Sequence, residues 1–495
     1  MQVGDQPMNR EQRRAATRRA RRMAAVGSAG VLVASGVSLV SGTLTNSASA
    51  ATTITVTNLN GTGANSLYDA IKNAVSGDTI DFQSGLAGTI TLTKNLPTIT
   101  QDISIVGPGP GVITIDGQNK YHPFEFEQAG AASISGLTIT NGYSNGVNND
   151  NSGGAIGVYA YGRHMASMTI SHMVITSSAS QNDGAAIWCH GGYSYRAHSA
   201  GYVDALTITD TVITGNHSNS GGGGLYSDSC TNVTIANTTI SGNTAAGNGG
   251  GMYVDDGALE VRNTTVSGNT GRYGGGVFVN DYQFAFENST ISGNHATKNG
   301  GGIEQYDGAL SLVQTTVTAN TAAGNGAGLY AENLGFTVRP SAKRADDRTK
   351  RETTEHSKED AKAKLGTQQA TDELVLTGTI LAGNPGVDLQ GDGSAGQISS
   401  QNSLIGTVDP ATVVHDLGGT LLGVNPMLGP LANNGGPTQT HALLAGSPAI
   451  NTGPNPVPTF TGNQFDQRGP GFARVIGGRV DIGAFEAPLV ARFTG

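Results

Sequence analysis

Charge is scarce in this chain: 13% of its 495 residues are Asp, Glu, Lys or Arg, only 5% are aromatic, and there is a single Trp. Helical bundles, whose surfaces are built from Lys and Glu, are therefore a poor fit. Two cysteines, Cys189 and Cys230, exclude both a disulfide-dense scaffold and a cysteine-based metal centre. They lie 41 residues apart at different repeat positions, which leaves their pairing an open question. After residue 40 no apolar run approaches the roughly 20 residues that a spanning helix needs. What the chain has in abundance is glycine, 74 residues, about twice average usage. No Gly-X-Y period accompanies it, which excludes collagen. With Thr, Ile, Val, Asn and Ser recurring, the composition describes an all-β protein of many short strands and tight turns.

Charge is also unevenly placed. Residues Met1 to Arg22 hold seven Arg and two acids, and Arg339 to Glu373 hold nine basic and eight acidic residues. The remainder has 12 basic and 27 acidic groups, so the body is more acidic than the whole-chain charge of −9. An acidic surface repels phosphate, so nucleic acid is not an expected partner, and divalent cations or neutral sugars fit better. Residues 1–50 read as a signal peptide: an Arg-rich start, an apolar stretch from Met23 to Val40, and Ala48-Ser49-Ala50 as the cleavage site before Ala51. The expected location is extracellular or at the cell surface, with no membrane span after cleavage.

A phrase of the form N-T-T-I-S-G-N, then a short loop, glycines and an aliphatic residue, repeats through the middle of the chain. Its last Asn falls at Asn216, Asn243, Asn269, Asn294 and Asn320, in steps of 27, 26, 25 and 26. The aliphatic residue falls at Leu225, Met252, Val277, Ile303 and Leu329 with nearly the same steps. Each repeat contains three alternating runs, such as Gly251 to Val254, Ala258 to Arg262 and Thr264 to Ser267. Three strands per coil imply a parallel β-helix, in which every strand pairs with its counterpart one coil away at about 4.8 Å. The Asn column is structural: Asn tolerates left-handed turns, and its amide can bond to the same group in the next coil. Looser coils extend upstream through Ile187 and Ile156 to Leu137-Thr138-Ile139 and Ile113 to Asp116. Downstream, Thr379 to Asn384 repeats the phrase after a charged insertion, 339–373. Ser66-Leu67-Tyr68-Asp69 is a capping-box pattern that predicts a short helix to about Val75, placed to lid the first coil. The chain divides into a signal peptide (1–50), a cap with the first coils (51–135), the regular coils (136–400) and a C-terminal capping region (401–495).

Several segments resemble known families. The GGAI-type and G-N phrases resemble the repeats of polymorphic outer membrane proteins. Thr55-Val56-Thr57-Asn58 through Ser66-Leu67 to Gly77-Asp78-Thr79-Ile80-Asp81-Phe82 is similar to a CSLREA-type N-terminal segment. Asn425-Pro426, Leu428 to His441, Gly446 to Asn451, Asp466-Gln467-Arg468-Gly469 and Val480 to Glu486 resemble a choice-of-anchor Q domain. The resemblance implies an exported bacterial surface protein with a right-handed β-helix, and it brings no agreed catalytic residues.

Alternation then predicts which side chains leave the core. Trp188, Tyr226, Tyr253, Phe278, Glu304 and Tyr330 are expected to point outward, with Asp228, Asp255, Asn280, Tyr306 and Glu332 two residues further on. Rings stacked at coil spacing can lie against sugar rings, and Asp228, Asp255 and Glu332 beside them can accept sugar hydroxyls or hold Ca2+. The structural alternative is that the rings stabilise the sheet and that Asp255-Asp256-Gly257 is an ordinary turn. The expected function is a non-catalytic adhesion or carbohydrate-binding scaffold for extracellular polysaccharide or a cell-surface glycan, with no cofactor unless Ca2+. The alternatives are a polysaccharide lyase or glycoside hydrolase working through Asp228, Asp255, Asp256 and Asp281, and a purely structural envelope component. Against catalysis, Cys189-His190-Gly191-Gly192 is only a fragment of a G-H-G signature, and the coils hold no R-x-K.

Overall fold

The computed structural model describes residues 51–488 apart from 128–129, 146–152, 162–163, 195–198, 201, 334–372 and 394–396. The signal-peptide segment and most of the charged insertion fall outside the described residues. Among those described, no helix is long and apolar enough to cross a membrane.

One coil shows how the repeat is used. Met252–Asp255 lies in a first sheet, Ala258–Arg262 in a second, Thr265–Ser267 in a third, and the two-residue strand Thr270–Gly271 in a fourth. The strands along each ladder pair in parallel with the equivalent strand one coil away, and the four sheets stack 10, 14, 12 and 7 strands among the described residues, the 10 including Ser199–Ala200, which pairs antiparallel with the end of Ile187–Ser194. The expected three strands per coil are present, and the narrow fourth ladder closes the gap before the glycine-rich turn. Leu225, Met252, Val277, Ile303 and Leu329 are register partners down the first sheet. All five are fully buried in one continuous core. The ladders begin at Thr53–Val56 and continue to Leu421–Leu422, so coils extend past residue 400 into the C-terminal region.

The Asn column forms the expected amide ladder. Each side-chain nitrogen donates to the side-chain oxygen of the next coil: Asn216 to Asn243 at 2.9 Å, Asn243 to Asn269 at 3.0 Å, and Asn269 to Asn294 and Asn294 to Asn320 at 2.9 Å. The series runs on through Asn384 and ends on Asp388. The left-handed residue at this corner is not the Asn. It is the residue before it: Gly242, Gly268 and Gly293 have φ of 62°, 62° and 65°. Left-handed Asn residues occupy the corner between the second and third sheets instead, at Asn237, Asn263 and Asn288, with φ of 51°, 49° and 53°.

Cys189 and Cys230 are joined by a disulfide across 6.3 Å between Cα atoms, tying the first sheet of one coil to the second sheet of the next. Closing a loop of 41 residues contributes about 4 kcal/mol in the chain-entropy account. The predicted helix is Leu67–Asn73, ending two residues before Val75. The Ser66 hydroxyl accepts from the Asp69 amide at 3.3 Å, and Leu67, Ala70, Ile71 and Ala74 close the first coil.

Beyond residue 425 the chain turns back along the outside of the third sheet. Leu428–Ala432 and Thr440–Leu443 form an antiparallel pair. The Thr290 hydroxyl donates to Gln467 Oε1 at 2.6 Å, and Ile482 and Phe485 pack on Ile380 and Leu404. Asp466 and Arg468 form a buried ion pair, and the Glu486 carboxylate accepts from the amides of Ile476 and Asp481. These motif residues fasten the segment to the coils.

Two outcomes test this account. Replacing Asn269 by Ala removes four buried hydrogen bonds of the ladder and is expected to cost about 2–4 kcal/mol in urea unfolding. Glu287 lies opposite Arg262 on the second sheet; burial first, and then Glu260, raise its pKa from 4.5 to about 7. Its contribution to stability is therefore full below pH 4.5 and lost as the pH rises through 7. Glu287→Gln is expected to match the parent at pH 4 and to exceed it by about 1–2 kcal/mol at pH 8, after allowing for solvent screening.

Candidate functional site

The first sheet carries both groups of residues that alternation turns away from the core. Trp188, Tyr226, Tyr253, Phe278, Glu304 and Tyr330 are successive register partners. Trp188, Tyr226, Tyr253 and Phe278 form an apolar cluster separate from the core, together with Tyr159, so their direction is as alternation requires. They are not open to solvent. None of the five aromatic residues Trp188, Tyr226, Tyr253, Phe278 and Tyr330 is more than 5% exposed. Tyr226 and Tyr253 stack at 4.7 Å with 5° between planes, and Tyr253 and Phe278 at 5.2 Å with 2°.

The cause is the ladder itself, because a repeat of about 4.8 Å is close to the stacking distance of aromatic rings. The preceding turn lies flush against the same column. A Cβ on Gly222 would stand 2.7 Å from the Tyr226 Cβ, and one on Gly274 would stand 2.9 Å from the Phe278 Cβ. The open aromatic face expected from the sequence is thus corrected: these rings use their faces on one another. Glu332 is also buried, at 4% exposure.

The carboxylates gather at the corner between the first and second sheets. Asp256 and Asp281 occupy equivalent left-handed positions in successive coils, with φ of 57° and 70°, a conformation that Asp adopts readily. Gly257 follows because a Cβ there would meet the Cys230 carbonyl oxygen of the neighbouring coil at 1.9 Å. One oxygen from each of Asp255, Asp256 and Asp281 lies within 4.8 Å of the others. Asp255 is buried and the other two are half-buried. The Tyr253 hydroxyl donates to Asp255 Oδ2 at 3.0 Å. Asn280 Nδ2 donates to Asp255 Oδ1 at 2.8 Å and to Asp281 Oδ2 at 3.0 Å.

Asp228 is the register partner of Asp255 one coil earlier and is not one of the three carboxylates that lie mutually within 4.8 Å. It accepts from the Ser229 hydroxyl at 3.0 Å and lies 3.6 Å from His190 Nδ1, whose ring stacks on Trp188. Three of the four carboxylates named from the sequence therefore come together, and Asp228 pairs with a histidine that sequence reasoning had not matched to it. Asn280 stood in the outward column without a role. Its place in the cluster was hidden until the register put it beside Asp255. Among the described residues, Asp255, Asp256 and Asp281 are the one group of three such side chains close enough to share an ion.

A second chemically capable pair is Ser292 and His441. Nδ1 of His441 donates to the Gly429 carbonyl at 2.7 Å, so Nε2 accepts from the Ser292 hydroxyl at 2.8 Å. Burial lowers the pKa of His441, outweighing the carbonyl bond. The pair is 3% and 7% exposed and serves to attach the C-terminal segment. His172 is exposed at a left-handed turn, while His198 lies outside the described residues.

Residues 157–341 match the family model of the right handed beta helix region. The fold is a right-handed parallel β-helix. No curated protein matches this chain. Among solved structures, pectate lyase Pel9A is similar at 14% identity and a TM-score of 0.40, over 88% of this chain and 96% of that one. The family 6 alginate lyase AlyGC is similar at 12% and 0.32, over 79% and 55%. A mannuronic acid-specific family 6 lyase from human gut microbiota follows at 11% and 0.27, over 74% and 82%. At these scores the likenesses assign no chemistry to this β-helix.

The buried stack makes its own prediction. Tyr253→Ala is expected to lower stability by about 3–5 kcal/mol in urea unfolding. An unchanged midpoint would show that the ring is idle in the fold.

Proposed function

We propose that this chain is an exported bacterial surface scaffold that binds extracellular polysaccharide without cleaving it, and that it does so along the carboxylate corner. The observation that carries the reading is the meeting of Asp255, Asp256 and Asp281 at one corner of two adjacent coils. Carboxylates accept sugar hydroxyls, and a rigid ladder holds them in place without an ordering cost at binding. The signal-peptide pattern of residues 1–50 and the resemblance of the C-terminal motifs to a choice-of-anchor Q domain support export and surface display. The likeness of the repeats to polymorphic outer membrane proteins, and of the N-terminal segment to a CSLREA-type domain, points the same way.

The second reading is a glycan-cleaving enzyme, and the same observation favours it, because retaining glycosidases hold two carboxyl groups about 5 Å apart. One experiment separates the readings. The chain from Ala51 is passed over immobilised polysaccharides while new reducing and unsaturated ends are measured. Retention without new ends is expected, falling at least tenfold in Asp256→Asn/Asp281→Asn with an unchanged circular dichroism spectrum. New ends that disappear in the double variant would replace the scaffold with an enzyme, and no retention on any polymer would leave a purely structural component.

A further inference from the structure

We propose that the uncovered part of the third sheet is a second glycan surface, on which an uncharged, extended polysaccharide lies parallel to the axis of the helix. The inference rests on the reading that the chain binds polysaccharide, and it adds the class of sugar and a face that the carboxylate corner does not include.

The outward positions of the third sheet form two columns in unbroken register. One runs from Thr89 through Thr138 to Thr239, and the other from Thr91 through Thr140 to Ser241. Every position in these coils is Thr or Ser except Val174, Val212 and Asp116, and all are exposed or half-buried. Asp116 is held by the turn beside it, its Oδ1 accepting from the Gln118 amide at 2.8 Å and from Asn141 Nδ2 at 3.0 Å. The rest of the strip carries no charge.

The same columns continue into an interface that the molecule already uses. Thr265, Ser267, Thr290, Ser292, Thr316 and Thr318 follow in register, and all six are buried where the C-terminal segment lies on the sheet. There the hydroxyls bond to neutral polar groups: Thr265 donates to the Gln439 carbonyl at 2.5 Å, Thr290 to Gln467 Oε1 at 2.6 Å, and Ser292 to His441 Nε2 at 2.8 Å. Cover ends between Thr265 and Thr239, and the same chemistry lies open on the coils before it.

Size and charge select the occupant. Five coil steps of about 4.8 Å make the strip about 24 Å long, and residues two apart on a strand set the columns about 7 Å from each other. A stable protein interface needs roughly 800 Å2 per partner, well above what this strip offers, whereas one extended chain fits it. A single extended peptide would leave backbone groups along both its edges without partners, a need that the C-terminal segment meets with its own antiparallel pair. Sugar hydroxyls donate and accept as Thr and Ser do. A sugar unit of an extended chain advances by nearly the coil spacing, so successive units meet successive pairs of hydroxyls, and the rigid sheet adds these weak contacts without an ordering cost. The strip holds no cation for a uronic acid, and the acidic body repels one.

Isothermal titration of the chain from Ala51 tests the surface, with cellohexaose, mannohexaose and chitohexaose, their disaccharides, hexagalacturonate and a synthetic peptide of residues 437–444 as probes. The expected result is that at least one neutral hexamer binds, at least tenfold more tightly than its disaccharide or hexagalacturonate. Thr140→Lys/Thr214→Lys is expected to weaken that binding at least tenfold with an unchanged circular dichroism spectrum. If the lysines disturb the fold, Thr140→Val/Thr214→Val keeps the shape, removes two hydroxyls and is expected to weaken binding at least threefold. Hexamer binding that neither double variant alters would overturn the inference and leave the polysaccharide reading in place. Tighter binding of the peptide than of every sugar would overturn it in favour of a polypeptide partner. Binding of no hexamer would remove the surface, and retention on immobilised polysaccharide would then decide the wider reading separately.

Discussion

The spacing of about 4.8 Å between paired parallel strands governs this molecule. Because the coils stay in register, each side chain meets its counterpart one coil away, and the nature of each column decides whether that meeting stabilises. Aliphatic columns become a continuous core, amides become the ladder from Asn216 to Asn384, and rings become the stack through Tyr226, Tyr253 and Phe278. The same rule brings carboxylates together at Asp255, Asp256 and Asp281, where repetition alone is unfavourable. The acidic corner thus differs in kind from the other columns, and for that reason it is the most informative place to look for a ligand.

Coil ends and outer faces raise a different problem, since an open solenoid exposes unpaired backbone and apolar surface. The helix Leu67–Asn73 closes the first coil. The C-terminal segment covers the outside of the third sheet, where Thr265 and Thr290 bond to Gln467 and Ile380 meets Phe485. The buried group of Asp466, Arg468, Arg474, Asp481 and Glu486 holds this cover together; burial raises the pKa of Glu486 to about 8 while two backbone amides support its charged form. Such a charged group is orientation-specific and tolerates few alternative packings.

Much of the fold was legible because a solenoid writes its register into the spacing of its sequence. The period of the Asn and aliphatic columns, the alternation along Ala258–Arg262 and the cap at Ser66 all carried through to the structure. The site was legible only in part. Alternation identifies the side of the sheet on which Tyr253 and Asp255 lie, but it is silent about what covers that side. The glycines that let the turn approach Tyr226 and Phe278 look the same in sequence as glycines in an open loop. The pairing of Asp228 with His190, and of Ser292 with His441, depends on neighbours 38 and 149 residues away that no local pattern links.

By itself the sequence determined the class of fold, the length of the coil and which residues form each column, because these follow from periodicity and from the tendencies of Asn, Gly and β-branched residues. Only the tertiary structure decided that the aromatic column is sealed, that Asn280 joins the carboxylates, and that Cys189 meets Cys230. Those outcomes depend on distances between coils and turns, and a one-dimensional pattern states the order of residues without stating how closely two of them approach.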